Sequence, residues 1–308
     1  MGVKVFAPAS VANLAVGYDI LGLCLDGPGD EVIADFADAP GVEIVAIHGA
    51  GGKLPKDPER NTAGKAALAL LADRGDSDLG VRLTIKKRMP FGSGLGSSSA
   101  SAVAGAMAVN ELLRRPYTKR ELLRFAGEGE RVADGAWHLD NVAPSMLGGI
   151  VLVRDAEALD VHRVIGPPGL RVCVVHPRLQ VLTRDARAVL RDTVPFRAHI
   201  RQQAQLGGLI IGLMRGDLDL IGRCLRDEIV EPQRRRLITG FDDVRDAALG
   251  AGALGCSISG AGPSVFALCA DTLTAERVGA DMQAAFARHG VESTVYQSGV
   301  NPEGAVLA

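Results

Sequence analysis

Residues 90–101 read PFGSGLGSSSAS, three glycines and five serines in twelve positions. The stretch ahead of it, VRLTIKK, alternates apolar and polar residues, so Val81, Leu83 and Ile85 share one face of a strand that leads into Pro90. The stretch behind it, AVAGAMAVNELL, is rich in helix formers and predicts a helix from about Ser97 to Arg114, with serines at its start where capping oxygens are favoured. A strand-to-helix turn this bare exposes backbone N–H groups without Cβ obstruction, and the helix start adds partial positive charge. Both features favour a bound phosphate. Two familiar phosphate loops fail on spacing. The dinucleotide fingerprint GxGxxG needs glycine where Ser97 sits, and the Walker pattern needs a lysine that this stretch lacks. A tight turn that only packs a helix on a sheet would explain a generic glycine-rich turn equally well. Three consecutive serines favour the phosphate, because their hydroxyls can cap the helix and reach a phosphate or its metal.

Composition excludes several function classes. The 308 residues are 47% hydrophobic, enough for a large core and for two domains or one large one. Charges nearly balance, 34 basic against 36 acidic, which gives no signature of a polyanion-binding protein. Aromatics at 4% are too few for base-stacking platforms, so no nucleic-acid partner is expected. The start, MGVKVFAPAS, lacks an apolar signal-peptide region, and no run approaches the ~18 apolar residues of a spanning helix. The five cysteines form no CxxC and no zinc spacing, and read as reduced core residues. A cytoplasmic protein with no membrane partner is the expectation.

Further along, Pro116 stops the first helix, and Thr118 with Glu121 makes a capping box for a second that ends near Gly135. LGGIVLV (147–153) and LRVCVVH (170–176) read as buried strands. Helices are predicted around Ala186 and over 199–214, 217–229 and 274–289. GCSISG and SVFALCA read as a strand pair around the turn GAGP, with ESTVYQ as a last strand. Helices and strands without regular alternation predict an α+β fold. The expected division is residues 1–155 and 156–308.

Three motifs in order carry a resemblance. PFGSGLGSSSAS resembles the phosphate loop of the galactokinase, homoserine kinase, mevalonate kinase and phosphomevalonate kinase (GHMP) superfamily. PASVANLAVGYDILG (8–22) resembles its N-terminal substrate motif, and SISGAGPSVFAL (257–268) its C-terminal glycine motif. GAWHLDNVAPSMLGG (135–149), TRDAR (183–187) and EPQRRRLITGF (231–241) resemble the homoserine kinase branch most closely. The resemblance implies an N-terminal domain like ribosomal protein S5, which binds ATP, and a ferredoxin-like C-terminal domain. The implied reaction moves the γ-phosphoryl of ATP to the side-chain hydroxyl of L-homoserine, a step of threonine biosynthesis. It also implies Mg²⁺ and a homodimer. Two other readings stay open: another small-molecule kinase of the superfamily, of mevalonate or shikimate type, and a non-catalytic binding module.

The resemblance assigns residues where their chemistry alone does not decide. It gives ATP the loop Pro90, Phe91, Gly92, Ser93, Gly94, Leu95, Gly96, Ser97, Ser98, Ser99 and Ala100. Asn61 and Thr62, which could simply cap a helix, are placed near adenine. Lys87 could reach nucleotide phosphate or ribose, or point to solvent. Asn13 and Asp19 could be a loop asparagine and an exposed aspartate; the resemblance makes them substrate ligands, the aspartate suiting an ammonium. The family's common Gly-Pro-Gly-Phe-Asp run appears here as Ala15-Val16-Gly17-Tyr18-Asp19. His138 and Asn141 become substrate-site residues. A lone histidine argues against zinc, and an amide at 141 cannot accept the proton that an aspartate base would take. Asp140 reads as a buried structural acid. Arg187 and Arg234 suit a carboxylate or the product phosphate, whereas Arg235 and Arg236 read as solvated. Ser259, Gly260 and Gly262 would close the site. Glu130, eight residues before His138, matches the family's magnesium-binding glutamate, with Ser97 as second ligand.

Overall fold

The structure, a computed structural model, describes residues 2–308. Two sheets organise it. The first contains β1 (Val3–Ala12), β2 (Leu21–Ala37), β3 (Gly41–His48), β4 (Gly80–Lys86), β5 (Ile150–Asp155) and β6 (Asp160–Val164), and the second contains β7 (Arg171–Pro177) and three later strands. The 17-residue β2 is long enough for its halves to have different neighbours. Glu31–Ala37 pairs antiparallel with β4, and Leu21–Leu23 with β5. β1 follows β2 along both halves, with a register shift between Pro8 and Ser10, while β3 joins β4 in parallel.

Helices α1 (Thr62–Arg74), α2 (Ser97–Leu112) and α4 (Leu139–Leu147) pack on this sheet, and α3 (Lys119–Asp134) packs against those three helices. α2 is the central one. Twelve of its sixteen residues, Ser99 to Asn110, are buried, so it has no solvent face to pattern. Small side chains make that possible: a Cβ on Gly105 would lie 2.6 Å from the Ala63 carbonyl of α1. The expected capping box of α3 forms, with Thr118 accepting from the Glu121 amide and Glu121 from the Thr118 amide, and α3 ends on a left-handed Gly135. The expected serine cap of α2 does not form. Gly96 is the N-cap, with φ of 67°, and no side chain caps the helix.

The C-terminal part continues through α5 (Thr183–Ala188), α6 (Phe196–Arg215), α7 (Leu218–Cys224), α8 (Glu231–Arg234) and α9 (Phe241–Gly250). β8 (Gly255–Ile258), β9 (Val265–Cys269), α10 (Thr272–Arg288) and β10 (Ser293–Ser298) follow, and the second sheet runs β10-β7-β9-β8, all antiparallel. α7 is shorter than the predicted 217–229. Beyond it the Asp227 carboxylate collects the backbone N–H groups of Ile229, Val230 and Glu231, which commits that segment to entering α8. The expected division at 155 falls at the end of β5. The 156–159 turn is a hairpin inside the first sheet, which β6 carries to Val164; the second sheet starts at Arg171. A short β11 (Val306–Leu307) returns the C-terminus to the edge of β1.

One buried ion pair joins β2 to the strand exit and to α2. The Lys87 ammonium is paired with the Asp30 carboxylate and donates to the Ser97 carbonyl at 2.7 Å and the Ser101 hydroxyl at 2.8 Å. Their side chains are 5% and 0% exposed. Lys87 lines the cleft over α2, but its ammonium is engaged by Asp30, Ser97 and Ser101, and so holds the first turn of that helix. Removing one partner of such a pair leaves an uncompensated buried charge and costs about 3–5 kcal/mol. Lys87→Met is expected to lose stability on that scale in urea unfolding. Unchanged stability with a raised KM for ATP would show instead that the ammonium serves the nucleotide.

Candidate active site

A cleft of about 750 Å³ opens over the N-terminus of α2. Its walls come from the 90–101 loop, the start of α1, the end of α3, the start of α4, the 181–187 segment and the 260–262 turn. At its centre lies the uncapped end of α2. Gly92, Gly94 and Gly96 all have φ between 65° and 76°, a left-handed conformation that side chains resist. They carry the chain around the helix start and leave its first amides without a side-chain acceptor. The result is an anion seat made of backbone.

The loop is held from across the molecule. Ser259 donates to the Gly94 carbonyl at 2.7 Å and Ser264 to the Ser93 carbonyl at 2.5 Å. Gly96 sits against Ser10, whose hydroxyl donates to Asn141 Oδ1 at 2.8 Å; a Cβ on Gly96 would lie 2.2 Å from that hydroxyl. This contact fixes the Asn141 amide with its NH₂ side toward the cleft, as a donor. Ser98 donates to Glu130 Oε1 at 2.8 Å, and both line the cleft.

The opposite end of the cleft is built from charge. Asp19 has a left-handed backbone, φ of 60°, and its amide donates to Asn13 Oδ1 at 3.0 Å. Asn13 Nδ2 donates to the Gly260 carbonyl at 2.9 Å, tying the N-terminal loop to the glycine turn. Arg187 meets Asp19 with both terminal nitrogens, at 3.1 and 3.0 Å, and donates to His138 Nδ1 at 3.2 Å, which makes that ring nitrogen an acceptor. Arg234 is 3% exposed. It is fixed by the carbonyls of Ala186 and Gly260, and burial lowers its pKa. Arg235 and Arg236 lie on the surface, as expected; Arg235 pairs with Asp242. Asp140 is 2% exposed and its Oδ1 has no hydrogen-bond partner among the described residues. Burial raises its pKa to about 6; Asp19 adds to the rise, and His138 and Arg187 oppose it.

The profile described as GHMP kinases N terminal domain matches residues 61–149, and the one described as GHMP kinases C terminal matches residues 209–288. The homoserine kinase of Chlorobaculum tepidum is 46% identical over 97% of this chain and 96% of its own length. That of Xylella fastidiosa strain 9a5c is 42% identical over 99% and 93%. The crystal structure of homoserine kinase from Cytophaga hutchinsonii superposes with a TM-score of 0.97 at 47% identity, covering 100% of this chain and 97% of that one. The chain belongs to the homoserine kinases of the GHMP kinase family. It is an ATP-dependent kinase with the two-part GHMP fold.

In this kinase, Asn13, Asp19, Asn61, Thr62, Lys87, Phe91, Gly92, Ser93, Gly94, Gly96, Ser97, Ser98, Glu130, His138, Asn141, Arg187, Arg234, Gly260 and Gly262 all line the cleft, the set brought together from eight segments of chain. Pro90, Leu95, Ser99, Ala100 and Ser259 do not line it. Leu95 and Ala100 are core, since the loop needs an apolar anchor between its glycines and under the helix. Ser259 is buried behind the loop with its hydroxyl given to Gly94. Asn61 is occupied as a cap, its Oδ1 accepting from the Ala63 and Gly64 amides and its Nδ2 bound to the Pro55 carbonyl. Ser10, Tyr18 and Asp30 also support the site, though the motifs assign them no role. Ser10 and Tyr18 lie inside the quoted 8–22 motif, and their hydroxyls were the available signal; nothing local marks Asp30.

The loop glycines are unequal. A Cβ on Gly92 would have only the Val181 carbonyl nearby, at 3.9 Å, whereas one on Gly94 would meet the Ser259 and Gly262 carbonyls at 2.5 and 2.9 Å. Both alanines bear the left-handed penalty of about 1–2 kcal/mol. Gly94→Ala must also push the two loops apart. It is expected to show the larger fall in Tm and the larger rise in KM for ATP, with Gly92→Ala bearing only the backbone penalty in Tm and keeping a KM for ATP near the parent's.

Proposed function

We propose that the cleft transfers the γ-phosphoryl of ATP to the side-chain hydroxyl of L-homoserine, forming O-phospho-L-homoserine. The observation that carries this reading is the union of a backbone anion seat at α2 with an acidic and two basic groups, Asp19, Arg187 and Arg234, at the other end of one cleft. The seat suits the nucleotide phosphates. Asp19 and the arginines suit the opposite charges of an amino acid, whereas mevalonate and shikimate offer no ammonium to Asp19. In the structure Asp19 and Arg187 satisfy each other, with side chains 41% and 36% exposed. A pair that open is worth about 0–1 kcal/mol, so an amino-acid zwitterion can replace it by pairing with both members.

Magnesium fits the donor set. The Ser97 hydroxyl is buried without a hydrogen-bond partner among the described residues, and the Glu130 carboxylate lies in the same cleft. Hard oxygen donors in that number, completed by phosphate and water, are what Mg²⁺ takes. Ser97 and Glu130 would hold it, and it would neutralise charge on the β- and γ-phosphates. Gly92–Ser98 orient the phosphates, and the Asn141 NH₂, fixed by Ser10, donates toward the reacting oxygens. A loose transition state needs positioning more than early deprotonation, so the hydroxyl proton can leave late, to phosphate or water.

ADP release measured against homoserine, threonine, mevalonate and shikimate tests the function. Turnover should be confined to homoserine, with threonine at most weak; mevalonate or shikimate as the best substrate would overturn it. Asp140 offers a second reading of the proton's path, because its carboxyl lines the cleft with Oδ1 unbonded. Its folded pKa of about 6 stands above the ordinary 3.8, so ionisation costs stability as pH rises from 4 to 6, in full above that. Asp140→Asn should gain on the order of 2–3 kcal/mol over the parent at pH 8 and nothing at pH 3. It should keep most of its kcat. Loss of kcat at pH 8, with ATP and homoserine still bound, would make Asp140 the proton acceptor.

A further inference from the structure

Tyr18 stands where the family's common run has phenylalanine, and its hydroxyl is engaged twice. Arg187 donates to it at 3.1 Å and Arg234 at 3.2 Å. The two guanidinium groups also lie near its ring, 5.7 and 4.9 Å from the centroid. They come from different elements, α5 and α8, and reach one oxygen from separate directions. Tyr18 does not line the cleft; it stands behind the two arginines that do.

Two cations this close repel, and Arg187 is among the groups that lower the pKa of Arg234. An aromatic face and a shared acceptor offset that repulsion. Burial, then the charge of Asp19, raises the pKa of the Tyr18 hydroxyl, so it stays neutral at working pH and serves as an acceptor. Each arginine has other ties. Arg187 is held by Asp19 and His138, and Arg234 by the Ala186 and Gly260 carbonyls. Of these contacts, the Tyr18 oxygen is the one that both share.

We propose that Tyr18 is a positioning residue for specificity: its hydroxyl couples Arg187 to Arg234 and so shapes a two-guanidinium seat for the acceptor's carboxylate. This rests on the homoserine kinase reading above. When the zwitterion draws Asp19 away from Arg187, the hydroxyl keeps that arginine beside Arg234. Without it Arg187 follows Asp19 or swings from its neighbour, and the carboxylate meets one cation at a time. The hydrogen bonds of Tyr18 run to Arg187 and Arg234 at the acceptor end of the cleft, so the effect is expected there.

Tyr18→Phe keeps the ring and removes only the hydroxyl. It is expected to raise KM for L-homoserine roughly tenfold, the loss typical when a charged donor is left without one acceptor. KM for ATP, kcat at saturation and Tm should stay near the parent's. The same variant should narrow the ratio of kcat/KM between L-homoserine and 3-aminopropan-1-ol, which lacks the carboxylate, because only the former uses the arginines. An unchanged KM for homoserine, or an unchanged ratio, would overturn the brace. So would parallel losses in both KM values with a lowered Tm, since that is the behaviour of a residue that supports the fold. Absence of homoserine turnover in the parent protein would instead reject the function itself, so the two failures read differently.

Discussion

The seam between the 90–101 loop and the 259–264 segment is the constraint on which the site depends. Two serine hydroxyls from the C-terminal segment take the carbonyls of Ser93 and Gly94, and Asn13 and Arg234 both take the carbonyl of Gly260. Carbonyls that would otherwise turn into the anion seat are thus consumed behind it. A loop whose oxygens face away can present its N–H groups to a phosphate at little cost, and a helix start without a side-chain cap adds donors of the same kind. The seam also sets the distance between the nucleotide and acceptor halves of the cleft, because one turn, Gly260–Gly262, touches both.

Electrostatics divide those halves. Around α2 the one buried cation among the described residues is Lys87, and Asp30 neutralises it, so the anion seat there is made of backbone dipoles. At the other end the cations are side chains that the acceptor itself must engage. Arg187 and Asp19 form a partly exposed pair, whereas Arg234 is buried and anchored to two carbonyls.

Much of this was legible in the sequence where local chemistry fixes local shape. The glycine spacing located the loop, the apolar run located α2, and Thr118 with Glu121 located the start of α3. What failed to read were commitments made between distant residues. Ser259, Asn13 and Asn61 carry the hydrogen-bonding groups of ligands, yet those groups are largely spent on Gly94, on Gly260 and Asp19, and on the start of α1. Lys87 looks available until Asp30, 57 residues earlier, is folded against it. The helix over 217–229 stops early because Asp227 spends its carboxylate on three amides of the next segment. Sequence shows a donor or acceptor; only the fold shows whether it has been used.

The pair Asp140–Asn141 shows how that distinction bears on the chemistry. They are neighbours on the first turn of α4, yet the fold treats them oppositely. Asn141 receives the Ser10 hydroxyl on its oxygen, which fixes the amide and turns its donors toward the cleft. Asp140 is buried at the same wall with one oxygen unbonded, so its charged form is disfavoured. An oriented donor stabilises an oxygen on which negative charge develops, and does so without titrating across the working pH range. Asp140 instead carries a buried carboxyl whose pKa burial raises to about 6, with Asp19 adding to the rise and His138 and Arg187 opposing it. Placed side by side, an amide held by Ser10 and a buried titratable carboxyl line the same cleft from one turn of α4.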